Sequence, residues 1–283
     1  MNRLTIAIPT FRRPQDLKRA VSGVLEQAGE LVGGSSAEAR EPEGDAAGAT
    51  DPDRGAGRGV SDVEVLVIDN DAQGTGREAA LAAAADAGVP VRSSAEGADE
   101  PEAVGLRYVI EERPGVAAVR NRALDETGGR DLLVFIDDDE EPEPGWLAAL
   151  VGLWASTGCQ AVAGPVIPVY EVEPEAWVRQ GEFFVRRTWP TGTVRPVAAS
   201  NCLLLDLGFV RRAGLRFDEA FGATGGEDTL FTRRLSAAGG VIRWCDEARV
   251  RDHVPASRLT RPWILRRQRS HAATSVRVEL ALA

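Results

Sequence analysis

Apolar and polar positions fall in blocks along the first half of the chain, and the blocks carry two different periods. Leu4 to Pro9 (LTIAIP) is a continuous apolar run closed by Pro9 and Thr10, the pattern of a buried strand that ends in a loop. Asp16 to Gln27 then places Leu17, Ala20, Val21, Val24 and Leu25 at helical spacing, so one face of a helix is apolar. The same alternation continues with a strand over Val63 to Ile68 (VEVLVI), a helix over Arg77 to Ala87 and a strand over Leu106 to Ile110. A helix over Val116 to Glu126 and a strand over Leu132 to Ile136 (LLVFI) complete it. Strand and helix in turn predict an α/β fold: a Rossmann-like, mainly parallel sheet with helices on both faces, whose ligands bind beyond the carboxyl ends of the strands.

The second half is less regular. Trp146 to Trp154 and Asp228 to Ala238 read as helices, and Ala161 to Val166, Val197 to Leu205 and Val241 to Trp244 as extended segments. Two stretches break the pattern, Gly29 to Ser61 and Ser93 to Ala103. Both are polar and poor in large apolar residues, and the first is expected to be a disordered surface insertion.

With 283 residues, 43% of them hydrophobic, the chain can bury a full core as one large domain or two small ones. No apolar segment approaches the ~20 residues of a membrane-spanning helix, and Met1 leads directly into a strand, so a cytoplasmic protein is expected. Cys159, Cys202 and Cys245 are far apart and outside any CxxC pattern, which suits a reducing compartment and argues against a cysteine zinc site. The net charge of -10 excludes an ordinary nucleic-acid binder. That charge is uneven, because Arg258 to Arg269 (RLTRPWILRRQR) is basic throughout. Leu259, Trp263, Ile264 and Leu265 lie among these arginines. The segment can pack as a terminal helix with solvated arginines, or lie peripherally on an anionic membrane surface within reach of a lipid-linked acceptor.

Three acidic sites fall where an α/β sheet presents ligands. Asp137-Asp138-Asp139 follows LLVFI, and two carboxylates spaced i, i+2 on a loop can face one hard divalent cation together with a substrate's phosphates. The plainer alternative is a solvated acidic loop. Asp69-Asn70-Asp71 ends VEVLVI and can either bind a base or ribose or form an Asx turn. Gly225-Gly226-Glu227-Asp228 opens a helix, where acids are favoured by its dipole and where one could also take a proton from a hydroxyl. Arg113 and Arg120 flank the helix before the aspartate loop; arginine suits a diphosphate, and a solvated or salt-bridged role is the default. His253 is a lone histidine in VRDHVP, of a kind more often structural than ligating.

In order and spacing, IAIPTFRRP (Ile6 to Pro14), VLVIDND (Val65 to Asp71), ERPGVAAVRNRAL (Glu112 to Leu124) and LLVFIDDDEEPEPGWL (Leu132 to Leu147) resemble glycosyltransferase family 2. AVAGPVIP (Ala161 to Pro168), ASNCLL (Ala199 to Leu204), FDEAFGATGGEDTLFTRRL (Phe217 to Leu235) and VPASRLT (Val254 to Thr260) extend the likeness over nearly the whole chain outside the two polar stretches. The set resembles the bacterial exopolysaccharide, succinoglycan-type branch of that family. The resemblance implies a single inverting GT-A glycosyltransferase domain over 1–283. It would comprise a nucleotide half over about 1–140, a fused acceptor half over about 141–257 and a basic helix over about 258–283. It implies a nucleotide-diphosphate sugar as donor, a glycan or lipid-linked acceptor, and Mn2+ or Mg2+ as cofactor. Pro9, Thr10, Arg12, Asp69, Arg120, Asp137 and Asp138 would then be nucleotide-binding. Asp137 and Asp139 match the DXD metal motif, with His253 as a further ligand, and Asp228 matches the catalytic base, with Glu227 beside it. Two other classes remain for comparison. A sugar-1-phosphate nucleotidyltransferase should open with a Gly-rich phosphate loop, where this chain has IPTFRRP. A non-catalytic nucleotide-sugar-binding module would release no nucleoside diphosphate.

Overall fold

In a computed structural model of the chain, which describes residues 1–35, 59–93, 103–222 and 225–283, the first half alternates strand and helix. Its elements are β1 (Asn2–Thr10), α1 (Pro14–Ser35), β2 (Val60–Asp69), α2 (Arg77–Asp86), β3 (Val91–Arg92), β4 (Val104–Ile110), α3 (Val116–Glu126) and β5 (Leu132–Ile136). The second half holds β6 (Glu140–Pro142), α4 (Trp146–Thr157), β7 (Ala161–Ala163), β8 (Val166–Tyr170), α5 (Ala176–Gln180), β9 (Val194–Arg195) and β10 (Cys202–Asp206). It closes with α6 (Leu207–Arg212), α7 (Glu227–Ala237), β11 (Ile242–Trp244), β12 (Val250–Val254) and α8 (Arg261–Leu282).

Nine strands form one sheet in the order β3-β4-β2-β1-β5-β10-β7-β11-β9. From β3 to β5 every pairing is parallel, and β10 enters antiparallel to β5. Strands of both halves therefore share one sheet. All five residues of β5 are buried, as a strand covered on both faces requires. On one face α1, α2 and α4 pack Leu17, Val21, Val24, Ala80, Trp146 and Leu150 against it, and on the other α3, α6 and α7 pack Ala117, Val210, Phe231 and Leu235. Each large side chain buried in this way contributes ~2 kcal/mol. The chain winds outward from β1 through β2 to β4 and then returns to β5 on the other side of β1. The strand order thus reverses between β1 and β5, and a crevice opens at their carboxyl ends. A second sheet, β6-β12-β8, stands beside that crevice.

Several boundaries differ from the sequence expectation for identifiable reasons. The expected insertion begins too early at Gly29, because α1 continues to Ser35: Ala28, Leu31 and Val32 prolong its apolar stripe against the core. It also ends too late, since Val60 and Ser61 belong to β2. Its remainder, 36–58, and most of the second polar stretch, 94–102, lie outside the described residues. Ala161 to Val166 is two strands in two sheets, broken at Gly164, where a Cβ would overlap the Ala248 carbonyl oxygen and crowd Cys202 Sγ. The strand expected from Val197 starts only at Cys202. Ahead of it, the Ala198 N–H and carbonyl bond to the Thr232 hydroxyl, at 3.2 and 3.0 Å, and not to a neighbouring strand. Among the described residues no helix is long and apolar enough to cross a membrane.

Candidate active site

The crevice between β1 and β5 is lined by the aspartate loop. Of its three acids, Asp138 is buried and turned toward β1: the Thr10 hydroxyl donates to it at 2.8 Å and the Arg13 guanidinium at 3.1 Å. Asp137 and Asp139 are only partly buried. Asp139 accepts from Arg13 at 2.9 Å and from Arg258, in the turn before α8, at 3.1 Å. Asp137 lies 3.6 Å from Arg120, and the same guanidinium makes a buried ion pair with Glu227. Arg120 therefore ties the aspartate loop to the start of α7, joining two of the three acidic sites found in the sequence. Behind the loop Glu140 accepts the Asp137 N–H at 3.1 Å and a side-chain hydrogen bond from Asn201.

Burial governs the electrostatics here. It pushes Asp138 up to about 6, with Arg13 and Thr10 pulling the other way. It raises Asp137 as well, against Arg120 and with help from Asp139, and it raises Glu140 further, with Asp137 adding to the effect. Glu227 is raised by burial and Asp228 and lowered by Arg120, while Arg120 is held above its ordinary value because Asp137, Glu227 and Asp228 together outweigh its burial. Carboxylates crowded in this way are relieved by a cation.

Asp228 stands in the first turn of α7. One oxygen accepts from the Thr229 N–H at 2.6 Å and the other from the Ser200 N–H at 3.4 Å, and the side chain is partly open. Its neighbour Glu227 is buried on Arg120. The two acids are thus separated by environment, and Asp228 is the one with access to the crevice. Gly225 and Gly226 both have positive φ, and a side chain on Gly226 would collide with Thr274 of α8. The close approach that the glycine pair permits is therefore to a helix of this chain.

At the end of β2 the arrangement differs from a ligand site open to solvent. Asp69 is fully buried, and its oxygens accept from the N–H of Asp71 at 2.9 Å, the N–H of Gly76 at 2.8 Å and the hydroxyl of Tyr108. Asp69 organises the turn, and a Cβ on Gly76 would press on its carboxylate and on Leu17. Asn70 ties the loop to the next crossover by donating to the carbonyls of Glu111 and Arg113 and accepting from the Gly115 N–H. Arg12, exposed and with φ of +56°, pairs with Asp71 at 3.2 Å. Pro9 lies in β1 opposite Ile68.

His253 does not join Asp137 and Asp139. Its ring meets Glu141 at 3.0 Å on one face of β12, and alternation along the strand sends Asp252 to the other face, 3.9 Å from Arg258. Among the described residues no three acidic, histidine or cysteine groups form a complete metal cage. Two partly open carboxylates on one loop nevertheless fit a magnesium-type ion, which takes one or two protein carboxylates and fills its shell with phosphate oxygens and water. Sequence reading missed Arg13, Tyr108, Glu140, Asn201, Asp252 and Arg258. Arg13, Glu140, Asn201 and Arg258 lie inside motifs quoted above, but what each of them meets is set by the fold, as it is for Tyr108 and Asp252.

The fold is the GT-A fold. Solved structures with the same architecture include S. aureus TarS residues 1–349, with a TM-score of 0.55 at 12% identity over 89% of this chain and 60% of that one. GalNAc-T7 with UDP, GalNAc and Mn2+ gives 0.58 at 13% identity over 90% of this chain and 44% of that one. The chain belongs to glycosyl transferase family 2, whose model matches residues 56–204. A curated relative, the succinoglycan biosynthesis protein ExoM of Rhizobium meliloti (strain 1021), is 32% identical over 212 residues, 73% of this chain and 62% of that protein. The chain therefore spans less than two thirds of the length of the proteins it matches.

Proposed function

We propose that this chain is an inverting glycosyltransferase that moves a sugar from a nucleoside-diphosphate donor to an acceptor hydroxyl in exopolysaccharide assembly. The observation that carries this is the Arg120 bridge, which holds the aspartate loop and the α7 acids on one crevice at the switch point of the sheet. The family, and the relative named for succinoglycan biosynthesis, support the same reading. Asp137 and Asp139 would hold a divalent cation, Mn2+ or Mg2+, whose chemistry is to neutralise charge on the leaving diphosphate. Asp228 takes the proton of the acceptor hydroxyl as its oxygen bonds to the anomeric carbon. The bond from that carbon to the diphosphate breaks, its electron pair leaves with the nucleoside diphosphate, and the anomeric configuration inverts. Thr10 and Arg13 fix the loop through Asp138, and Arg120 positions Asp137.

Asp228→Asn keeps shape and hydrogen bonding but removes the base. Release of nucleoside diphosphate, read across a panel of nucleotide sugars with soluble acceptors, should fall by ~100-fold or more while donor affinity stays unchanged. Undiminished turnover would assign the base elsewhere. The place of action in this proposal is the cytoplasmic face of a membrane, on a lipid-linked acceptor.

A further inference from the structure

The basic run at the start of α8 does not present a single face. Leu265 is 70% exposed, whereas the Arg258 and Arg267 guanidinium groups each lie 5.9 Å from the Trp263 ring. Trp263 stacks on Phe184 at 5.7 Å, and Phe184 meets Tyr170 edge-on at 5.9 Å. This aromatic stack fastens the start of α8 to the segment before β9. Arg186, two residues after Phe184, donates to Asn201 at 2.9 Å beside the aspartate loop. Three guanidinium groups from two separate segments therefore gather at the rim of the crevice.

Their partners are unequal. Arg258 pairs with Asp139 and lies 3.9 Å from Asp252, while among the described residues Arg186 and Arg267 make no ion pair. Arg267 is exposed at the surface, yet partial desolvation, and next the proximity of Arg186 and Arg258, holds it below the ordinary arginine value. Cations collected at mutual disadvantage, two of them with no carboxylate at ion-pairing distance among the described residues, form a donor set for a polyvalent anion. Planar guanidinium groups match phosphate oxygens in bidentate fashion.

We propose that Arg186, Arg258 and Arg267 receive the diphosphate of the donor, and that Arg258 is an exchange residue. In the free protein it occupies Asp139; when a divalent cation takes that carboxylate, it turns to the diphosphate. The proposal rests on the nucleotide-sugar reading of the site and adds to it a second, metal-independent support for the leaving group, built from the last segments of the chain.

The exchange has a signature of opposite signs. Arg258→Gln removes a competitor for Asp139, so Mn2+ alone should bind more tightly to the full chain by calorimetry. The same variant removes a phosphate ligand, so a nucleoside diphosphate should bind ~10-fold more weakly or worse, while the corresponding nucleoside is unaffected. Arg267→Gln should weaken the diphosphate without changing Mn2+ alone, and Arg266→Gln is the control outside the cluster. Loss of affinity for Mn2+ and diphosphate together in Arg258→Gln would mean a merely structural residue and overturn the proposal, as would unchanged diphosphate binding in both variants. Failure of the unaltered chain to bind any member of a nucleoside diphosphate panel would instead bring down the nucleotide-sugar reading, and this proposal with it.

Discussion

Asp138 differs from its two neighbours in having its ligands chosen already, by Thr10 and Arg13. Its carboxyl is raised from 3.8 to about 6 in the fold, with burial the largest cause. A raised acid contributes stability below its unfolded value and loses that contribution as pH rises through the folded one. In chelator, the stability of Asp138→Asn relative to the unaltered chain should therefore increase between pH ~4 and ~6 and then level off, as followed by thermal melts. A difference that is flat over that range would show that Asp138 titrates normally. Residues of this kind mark the limit of what the sequence could disclose. Asp137, Asp139 and Asp228 could be singled out because acids at strand ends and helix starts are local patterns. Nothing local tells that Tyr108 caps Asp69 from 39 residues away, or that Arg258, visible only as the start of a basic run, reaches Asp139 across 119. The His253 ring stands with Glu141 and away from Asp137 and Asp139 because of strand alternation in β12, an element that was not foreseen.

Among the elements, α8 depends most on a small contact. It lies over the start of α7, with Val278 buried against Phe221 and Leu230, and Arg233 paired with Glu279 at 2.9 Å. Gly226, with φ of +94°, makes that approach possible. Gly226→Ala adds both backbone strain and an overlap with Thr274, and should destabilise the protein by ~1–3 kcal/mol, read as a lower midpoint in urea. An unchanged midpoint would show that α8 is not seated there. Helices and strands with a continuous apolar stripe, such as α3 and β5, had the same bounds in sequence and structure. Short strands that borrow their partners from afar, β6, β8 and β12, did not announce themselves, since three to five residues give too little periodicity.

For the whole molecule, the sheet places the crevice and the start of α8 on one side, so the outward part of the basic run bears on how the protein would meet a membrane. Leu265, Arg266 and Arg269 are exposed there. Cosedimentation with anionic vesicles at low salt, lost at high salt and weakened in the Leu265→Gln, Arg266→Gln, Arg269→Gln triple variant, is the expected result. Equal binding to neutral vesicles, or none, would leave the helix with its packing role alone. The pairing of Asp139 with Arg258 also has a bearing on biosynthesis. The ribosome makes the aspartate loop first, and at about 5–20 residues per second the 119 residues to Arg258 take roughly 6–24 s. Throughout that interval a nascent chain carries the loop's acids without their last arginine, so divalent cations in the surrounding fluid meet Asp139 before its own guardian has been synthesised.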